Sequence, residues 1–255
     1  RNSKTGSKKN ISFHYDLGNS FYEKWLDKSM TYSSGMFKKK SDDLYDAQLN
    51  KYRNLAKITD IKNKDKVLEI GCGWGGFSCF LAKNFSADVT AITISKKQYE
   101  KVKEKVYKEK LTEKVNVKLT DYREIKGLYD KIVSIEMFEA VGEKYWSKYF
   151  DVLGSNLKHN GAIGLQTITI EDKFFKKYRK FPDFIQTYIF PGGMLPSIEE
   201  MSKVLKSKGL TIEKKQMFGN DYAKTLKMWS KSFESSWDNI KNCLLYTSPS
   251  PRDDR

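Results

Sequence analysis

The stretch Val67-Leu68-Glu69-Ile70-Gly71-Cys72-Gly73-Trp74-Gly75-Gly76 decides the fold of this chain. Its apolar half predicts a buried strand, and the helical pattern of residues 77–82 follows the glycines directly. A strand, a glycine turn and a helix in this order are typical of nucleotide-binding α/β folds. The glycines are spaced more tightly than the Gly-x-Gly-x-x-Gly of dinucleotide enzymes. This spacing favours a ligand without a pyrophosphate, and S-adenosylmethionine (SAM) is the cofactor that we expect.

Length and composition limit the classes of protein to consider. The 255 residues, of which 39% are hydrophobic and 14% aromatic, suffice for one large domain. We expect no signal peptide and no transmembrane helix, because no run approaches the roughly 20 apolar residues that a bilayer span needs. The three cysteines have neither disulfide-framework nor zinc spacing. This favours a reducing cytoplasm and predicts no metal site.

The net charge of +15 indicates an anionic partner. Only six of the 47 basic residues are Arg and the other 41 are Lys, so a coding bias of the source genome is an equally good explanation. The sequence has no RNP-type aromatic motif and no zinc finger. We therefore expect no nucleic acid and favour the phosphate face of a membrane.

Apolar segments alternate with helical patterns through the middle of the chain. After a capped amphipathic helix that ends at residue 58, the pattern predicts strands over residues 66–70, 88–94, 115–120, 129–135 and 162–170. It predicts helices over residues 75–84, 96–110 and 144–157, the last with a C-cap at residues 159–161. This order predicts an α/β fold with a doubly wound, Rossmann-like parallel sheet.

The alternation of predicted strands and helices ends after residue 171. We predict a helix over residues 172–188, a loop, a second helix over 198–207, a strand over 211–217 and a third helix over 222–237. The chain then divides into an N-terminal segment, 1–60, and a catalytic core, 61–242, with an insertion around 171–197. Residues 243–255 fit no element, and we expect them to be foreign or unfolded.

Polar side chains follow the predicted strands at the edge where ligands bind in such sheets. Thr93 and Ser95 end the second strand where a NAD enzyme needs a carboxylate, which argues against NAD. Ser95 also fits a helix N-cap. Asp121 is either a cap or an acceptor for an adenine amino group, with Tyr122 stacking on the ring. Glu139, among apolar neighbours, is either a site residue or a partner of a backbone amide.

Ordered motifs across residues 11–230 give this chain a resemblance to a known family. They are His14-Tyr15-Asp16-Leu17-Gly18-Asn19, Met30-Thr31-Tyr32-Ser33, residues 68–76, Thr93-Ile94-Ser95 with Gln98, Asp121-Tyr122-Arg123, Met137-Phe138-Glu139 with Val141-Gly142, Tyr188-Ile189-Phe190-Pro191-Gly192-Gly193 and Leu195-Pro196-Ser197. The chain resembles the cyclopropane fatty acid synthase family, which includes the mycolic acid cyclopropane synthases. The resemblance implies a class I SAM-dependent methyltransferase sheet with added helices that form a lipid cleft.

The resemblance also implies a reaction. Members of the family transfer the SAM methyl group to a cis double bond in a lipid acyl chain, and the carbocation that results loses a proton to a bound bicarbonate. Loss from the new methyl closes a cyclopropane ring, and loss elsewhere gives a methylene branch. The implied bicarbonate ligands are Glu139, Tyr222 and the backbone near Ile168, with Ser34 and Gln166 at positions where the family has Cys and His. Ser and Gln both donate hydrogen bonds, so the site is compatible with an anion, and the type of product stays open.

The family's SAM contacts fall on nine residues of this chain: Tyr32, Ser33, Gly71, Gly73, Thr93, Ile94, Gln98, Tyr122 and Arg123. The implied partners are the acyl chains of phospholipids in an anionic membrane, with the protein bound peripherally at the inner membrane face. A homodimer is a possible assembly. The chain is either a short form or a fragment of a longer protein, because some family members have an N-terminal lipid-binding domain and further C-terminal helix.

Two alternative functions stay open at this stage. The first is a small-molecule N-methyltransferase, which needs a smaller pocket and no charge facing a membrane. The second is a basic membrane-associated module that keeps the fold without turnover. The first alternative stays open because Ser34 and Gln166 depart from the family pattern. A lack of SAM binding would favour the second.

Overall fold

Five parallel strands form a single sheet at the centre of the molecule. The computed structural model describes Gly6 and residues 18–245, so the motif at residues 14–17 lies outside the described residues. The strands are β1 (Lys66–Ile70), β2 (Asp88–Thr93), β3 (Val115–Leu119), β4 (Tyr129–Ile135) and β5 (Leu157–Gln166). Their order in the sheet is β3-β2-β1-β4-β5. This confirms the predicted doubly wound sheet, in which the strand order reverses between β1 and β4.

Helices cover both faces of the sheet and the edge where the strands end. They are α1 (Asn19–Tyr22), α2 (Leu44–Ile58), α3 (Gly76–Phe85), α4 (Lys96–Lys108), α5 (Trp146–Asn156), α6 (Asp172–Lys180), α7 (Ile198–Lys206), α8 (Gly219–Ser235) and α9 (Trp237–Leu245). Both predicted N-caps form: Asp43 accepts a hydrogen bond from the Asp46 amide, and Ser95 accepts one from the Gln98 amide. Within the described residues, no helix combines the length and the apolar character that crossing a bilayer requires.

Neighbouring residues of β1 pack into different cores, as the alternation of a strand requires. Val67 belongs to the cluster that includes Tyr52 of α2 and Phe77 of α3. Leu68 belongs to the cluster on the other face, which includes Trp146 of α5. Both strand residues are at most 1% exposed. A sheet buried on both faces leaves the carboxyl ends of its strands as the place for a ligand.

The predicted helix over residues 172–188 is interrupted, which corrects the prediction. The helix α6 ends at Lys180, and a short π-helical turn spans Ile185–Ile189. Pro182 explains the break, since the residue before a proline is driven out of helical conformation. Phe181 accordingly adopts φ −122° and ψ 91°.

Two predicted features around β5 are wrong. Residues 159–161 do not cap α5, which ends at Asn156, with Leu157 already extended. They lie within β5, where the pairing with β4 shifts register and Asn160 has φ 62°. The strand also stops at Gln166 and does not continue to Ile170, because the Ile168 amide donates to a carboxylate instead of to a neighbouring strand.

The C-terminal elements also differ from the prediction. Residues 211–217 are exposed and form no strand, because no described strand pairs with them. The third helix is α8, which begins at Gly219 and ends at Ser235, and a further helix, α9, follows it. This last helix includes residues 243–245, the first three of the segment that we expect to be foreign or unfolded, and that expectation stays a prediction. Residues 246–255 lie outside the described residues.

Candidate functional site

The glycine turn after β1 opens the cleft at the point where the strand order reverses. Gly71, Gly73 and Gly75 all have positive φ, at 77°, 52° and 77°. A Cβ at Gly75 would lie 2.8 Å from Val102 Cγ1, so this glycine is required by packing. A Cβ at Gly73 would meet nothing within 4 Å, which leaves its backbone accessible. The turn therefore presents backbone at Gly73 to a ligand.

The end of β2 forms a hydrogen-bonded group beside this turn. Thr93 Oγ1 donates to Gln98 Oε1 at 2.8 Å and accepts from the Ser95 amide at 3.1 Å. Both Thr93 and Gln98 are buried. The capping interpretation of Ser95 is confirmed. The cofactor contacts expected at Thr93, Ile94 and Gln98 would lie along this rigid corner.

Asp121 and Arg123 form an ion pair at the end of β3. Arg123 donates to the Asp121 carboxylate from Nε at 2.8 Å and from a terminal nitrogen at 2.6 Å. Asp121 also caps the following 3₁₀ turn by accepting from the Arg123 amide at 2.9 Å. The Tyr122 ring packs edge-on against Tyr149, with 5.2 Å between ring centroids. Burial raises the pKa of Tyr122 to about 12.

Glu139 is the central carboxylate of the site. Its Oε1 accepts hydrogen bonds from the Ile168 amide at 2.5 Å and from Thr167 Oγ1 at 2.9 Å. Its Oε2 is buried and has no hydrogen-bond partner among the described residues. A buried polar atom without a partner is costly, and such atoms are typical of places that receive a ligand. One oxygen of Glu139 is thus held by two donors, and the other is left without one among the described residues.

A second carboxylate, Glu136, lies beside Glu139 at the end of β4. Its Oε1 accepts from the Ser34 amide at 2.9 Å and from Gln166 Nε2 at 2.8 Å. Gln166 Nε2 also reaches Ser34 O at 3.4 Å, and Ser34 Oγ donates to Gly35 O at 3.0 Å. The two residues that depart from the family pattern therefore contact each other and share Glu136.

Burial raises the pKa of both carboxylates, and Glu136 acts on Glu139 in the same direction. Burial, and then the negative charge of Glu136, raise the pKa of Glu139 to about 7. Burial also raises the pKa of Glu136, against the nearby ammonium group of Lys51. Burial raises the pKa of Tyr222, and the charges of Glu136 and Glu139 act in the same direction. Near neutral pH, Glu139 exchanges a proton while Tyr222 keeps its own.

Lys51 of α2 brings a buried amino group to the site. It is 1% exposed, and its Nζ donates to Ser33 Oγ at 2.6 Å. Burial lowers the pKa of Lys51 to about 7, although the charges of Glu136, Asp27 and Glu69 oppose this shift. Since Ser33 precedes Ser34, Lys51 holds the loop that contacts Glu136.

Aromatic side chains enclose the site on the side of the N-terminal segment. The Tyr32 ring packs against Trp229 at 5.3 Å and against Trp25 at 5.5 Å between centroids. Tyr222 packs against the same cluster. Burial, and then the charge of Glu136, raise the pKa of Tyr32 to about 12. The cluster makes an apolar wall in which π-faces are available to a cation.

Of the five residues predicted for catalysis, Glu139 contacts Ile168 and Ser34 contacts Gln166. Tyr222 is linked to them through the charges of Glu136 and Glu139, which add to burial in raising its pKa. The prediction did not single out Glu136, Thr167 or Lys51. The sequence could have identified Lys51 as a lysine on the apolar face of an amphipathic helix. It could have identified Glu136 as a carboxylate at the end of a buried strand. Thr167 had no signal in the sequence.

The residues of the site fit both molecules that the family resemblance implies, SAM and bicarbonate. The open backbone at Gly73 fits the close approach of SAM. The unpartnered Oε2 of Glu139 and the protonated hydroxyl of Tyr222 fit a small anion such as bicarbonate. The Gln166 Nε2 donor is engaged with Glu136, and the Ser34 hydroxyl with Gly35, so either would have to exchange partners to contact an anion.

Comparisons with known proteins agree in sequence and in structure. The model of the mycolic acid cyclopropane synthetase family matches residues 2–247. A probable fatty acid methyltransferase of Pseudomonas putida is 36% identical over 228 residues, which cover 88% of this chain and 58% of that protein. Cyclopropane-fatty-acyl-phospholipid synthase of Escherichia coli strain K12 is 37% identical over 227 residues, which cover 89% of this chain and 57% of that protein. This chain therefore spans little more than half the length of these two relatives.

The similarity extends to three-dimensional structure. The crystal structure of mycolic acid cyclopropane synthase CmaA1, complexed with SAH and CTAB, matches this chain with a TM-score of 0.87 and 28% sequence identity. The match covers 92% of this chain and 86% of that one.

Proposed function

This chain belongs to the mycolic acid cyclopropane synthetase family, and we propose that it transfers a methylene unit from SAM to an unsaturated phospholipid acyl chain. The acceptor is a cis double bond, and the product is a cyclopropane fatty acid. The observation that carries this proposal is the buried, unpartnered Oε2 of Glu139 at the point where the strand order reverses. When bound, SAM would supply the methyl group, and bicarbonate would accept the proton that the new methyl group loses when the ring closes.

Glu139 holds the anion in this proposal. Its Oε1 is fixed by Ile168 and Thr167, so only Oε2 is available to a ligand. With a pKa of about 7, Glu139 is partly protonated at neutral pH. A proton on Oε2 converts a repelling carboxylate into a hydrogen-bond donor to an anion.

The other site residues complete the wall around that anion. Tyr222 donates a hydrogen bond from its hydroxyl group, which the raised pKa keeps protonated. Ser34 and Gln166 keep Glu136 in place beside Glu139. An alkene is a weak nucleophile, so this arrangement must also exclude water and hold the reacting atoms in line. The aromatic wall of Tyr32, Trp25 and Trp229 contributes an apolar lining.

The residues proposed to contact SAM follow the strand ends from β1 to β3. They are Tyr32, Ser33, Gly71, Gly73, Thr93, Ile94, Gln98, Tyr122 and Arg123. The segment 1–60 covers the active site in this proposal, and the insertion at 171–197 lines a lipid cleft. The contact between the Ser34 amide and Glu136 supports the first assignment.

The proposed setting of the reaction is the inner face of an anionic membrane, with the protein bound peripherally from the cytoplasm. The net charge of +15 supports an anionic partner. A homodimer is a further proposal, and sedimentation of the purified protein tests it.

The Glu139→Gln variant tests the assigned role of Glu139. The amide keeps an acceptor for the Ile168 N–H but cannot exchange a proton, so we expect loss of product with SAM binding nearly unchanged. Calorimetry with SAM and mass spectrometry of the lipids give the two readouts. Wild-type turnover in this variant would remove Glu139 from the mechanism.

A further inference from the structure

The segment after β5 carries an unusual concentration of exposed aromatic side chains. Phe181 is 67% exposed, Phe184 is 65% and Tyr188 is 67%. Ile185 and Phe190 are also exposed, so that a large apolar patch faces outward. Exposed patches of this kind mark sites of interaction with proteins or membranes.

The helix immediately before this patch has a basic outer face. At 100° per residue, one arc of α6 carries Lys173, Lys176, Lys177 and Lys180. The opposite face is anchored, since Phe175 is only 4% exposed and its ring lies 6.3 Å from that of Trp146. The lysines therefore point away from the body of the protein.

Most of these lysines have no acidic partner. Lys173 pairs with Glu171 at 2.6 Å. Among the described residues, no carboxylate forms an ion pair with Lys176, Lys177 or Lys180. Three ammonium groups thus lie on the helix that immediately precedes the exposed aromatic patch.

The patch is connected to the candidate active site through the backbone. Gln186 Nε2, from within the patch, donates to Gly193 O at 3.2 Å. The next residue, Met194, donates its amide to Glu139 O at 2.8 Å. These two hydrogen bonds tie the patch to the backbone of Glu139.

We propose that residues 173–190 form the surface that docks this protein on an anionic phospholipid bilayer. The aromatic side chains enter the boundary between headgroups and acyl chains, and the lysines contact the lipid phosphates. A second copy of the chain fits this surface poorly, because a two-fold interface would bring the two lysine faces together. This inference rests on the proposed function, since docking here delivers acyl chains beside Glu139.

Two double variants separate the aromatic and the basic contributions. Phe184→Ser with Tyr188→Ser removes the exposed rings, and Lys176→Glu with Lys180→Glu reverses two charges. The matched controls are Tyr107→Ser, which removes a ring that is 76% exposed on α4, and Lys103→Glu with Lys118→Glu, which makes the same change in net charge. Binding to vesicles of unsaturated phosphatidylglycerol is measured by sedimentation at low and high salt.

We expect each 173–190 double variant to bind these vesicles at least about tenfold more weakly than its control. High salt should reduce the difference between the two lysine variants, because it screens the phosphates. Equal binding by variants and controls would overturn the proposal. A dimer that forms without lipid, and that Phe184→Ser with Tyr188→Ser dissociates, would overturn it in favour of contact between copies.

A second readout separates this inference from the proposed function. SAM binding, measured by calorimetry, should persist in the 173–190 variants, because none of the residues proposed to contact SAM lies in this segment. Loss of SAM binding by these variants would show that the substitutions act on the cofactor site and would overturn a docking role. If the wild-type protein transfers no methyl group to vesicle lipids, the proposed function fails, while vesicle binding still tests the surface.

Discussion

Gln166 donates a hydrogen bond from Nε2 to Glu136 Oε1 at 2.8 Å, which ties the end of β5 to the end of β4. Glu136 has φ 46°, a left-handed conformation that is unusual for a residue with a side chain. The same Oε1 also accepts from the Ser34 amide. Gln166 therefore positions Glu136. The charge of Glu136 in turn contributes to the raised pKa of Glu139.

The first prediction concerns this hydrogen bond. Gln166→Leu leaves Glu136 with one donor fewer in a buried site, so we expect a loss of about 1–3 kcal/mol in the free energy of unfolding. Urea denaturation measures it. The control Gln216→Leu also removes an amide hydrogen bond, to Asn54, but at an exposed position, and should cost less than about 0.5 kcal/mol. Equal losses of unfolding free energy in the two variants would contradict a larger contribution from the hydrogen bond between Gln166 and Glu136.

The second prediction concerns pH. The folded-state pKa of Glu139 is about 7, above its ordinary value of 4.5, so the folded protein binds more protons than the unfolded chain between these values. The contribution of Glu139 to stability therefore falls as pH rises from about 4.5 to about 7, by up to about 3 kcal/mol. Glu139→Gln removes this contribution, and Glu69, whose pKa is raised to about 8, keeps its own in both proteins. Urea denaturation at about pH 5 and about pH 8 should give a smaller decrease for the variant. Parallel curves would contradict the raised pKa.

The third prediction concerns Lys51, which donates to Ser33 Oγ at 2.6 Å. Lys51→Met keeps the volume but removes a charged hydrogen bond, so we expect SAM to bind about tenfold more weakly because the Ser33 loop is less well held. Calorimetry measures the affinity. Lys57→Met, on the exposed side of the same helix, is the control. Unchanged SAM affinity in a folded Lys51→Met protein would separate Lys51 from the cofactor site.

The fourth prediction compares two glycines of the turn. Gly75→Ala places a Cβ 2.8 Å from Val102 Cγ1 and should lower the thermal unfolding temperature strongly. Gly73→Ala meets no atom within 4 Å, so its cost to the fold is limited to the strain of its positive φ, about 1–2 kcal/mol. We expect Gly73→Ala to unfold near the wild-type temperature and to lose SAM binding. Normal SAM binding by Gly73→Ala would place the cofactor elsewhere.

Much of the sheet could be predicted from the sequence because β1, β2 and β4 are short, mostly buried segments between helical patterns. The predicted bounds of β1 and β4 agree with the structure, and the glycine turn lies where the strand order reverses. The helix over residues 172–188 was predicted wrongly because Pro182 acts locally against a pattern that continues on both sides. Residues 211–217 have strand-like composition, but a strand needs a neighbour that the sequence cannot identify.

The site was only partly predictable for a similar reason. Glu139 could be named from its motif, and Tyr222 could be named from the family resemblance. The charges that set their pKa values could not, because Lys51 and Glu136 lie 85 residues apart in the chain and meet only when α2 packs near the end of β4. The partners of Ser34 and Gln166 likewise depend on the backbone conformation of Glu136.

The most direct measurement incubates the purified protein with SAM, bicarbonate and vesicles of unsaturated phosphatidylglycerol, followed by mass spectrometry of the acyl chains. We predict that unsaturated chains gain one CH₂ unit, and that fragmentation places it as a ring at the former double bond. Acyl chains of unchanged mass, from a folded protein that binds SAM, would contradict methylene transfer to lipid. Methylation of a small amine under the same conditions would support the N-methyltransferase alternative instead.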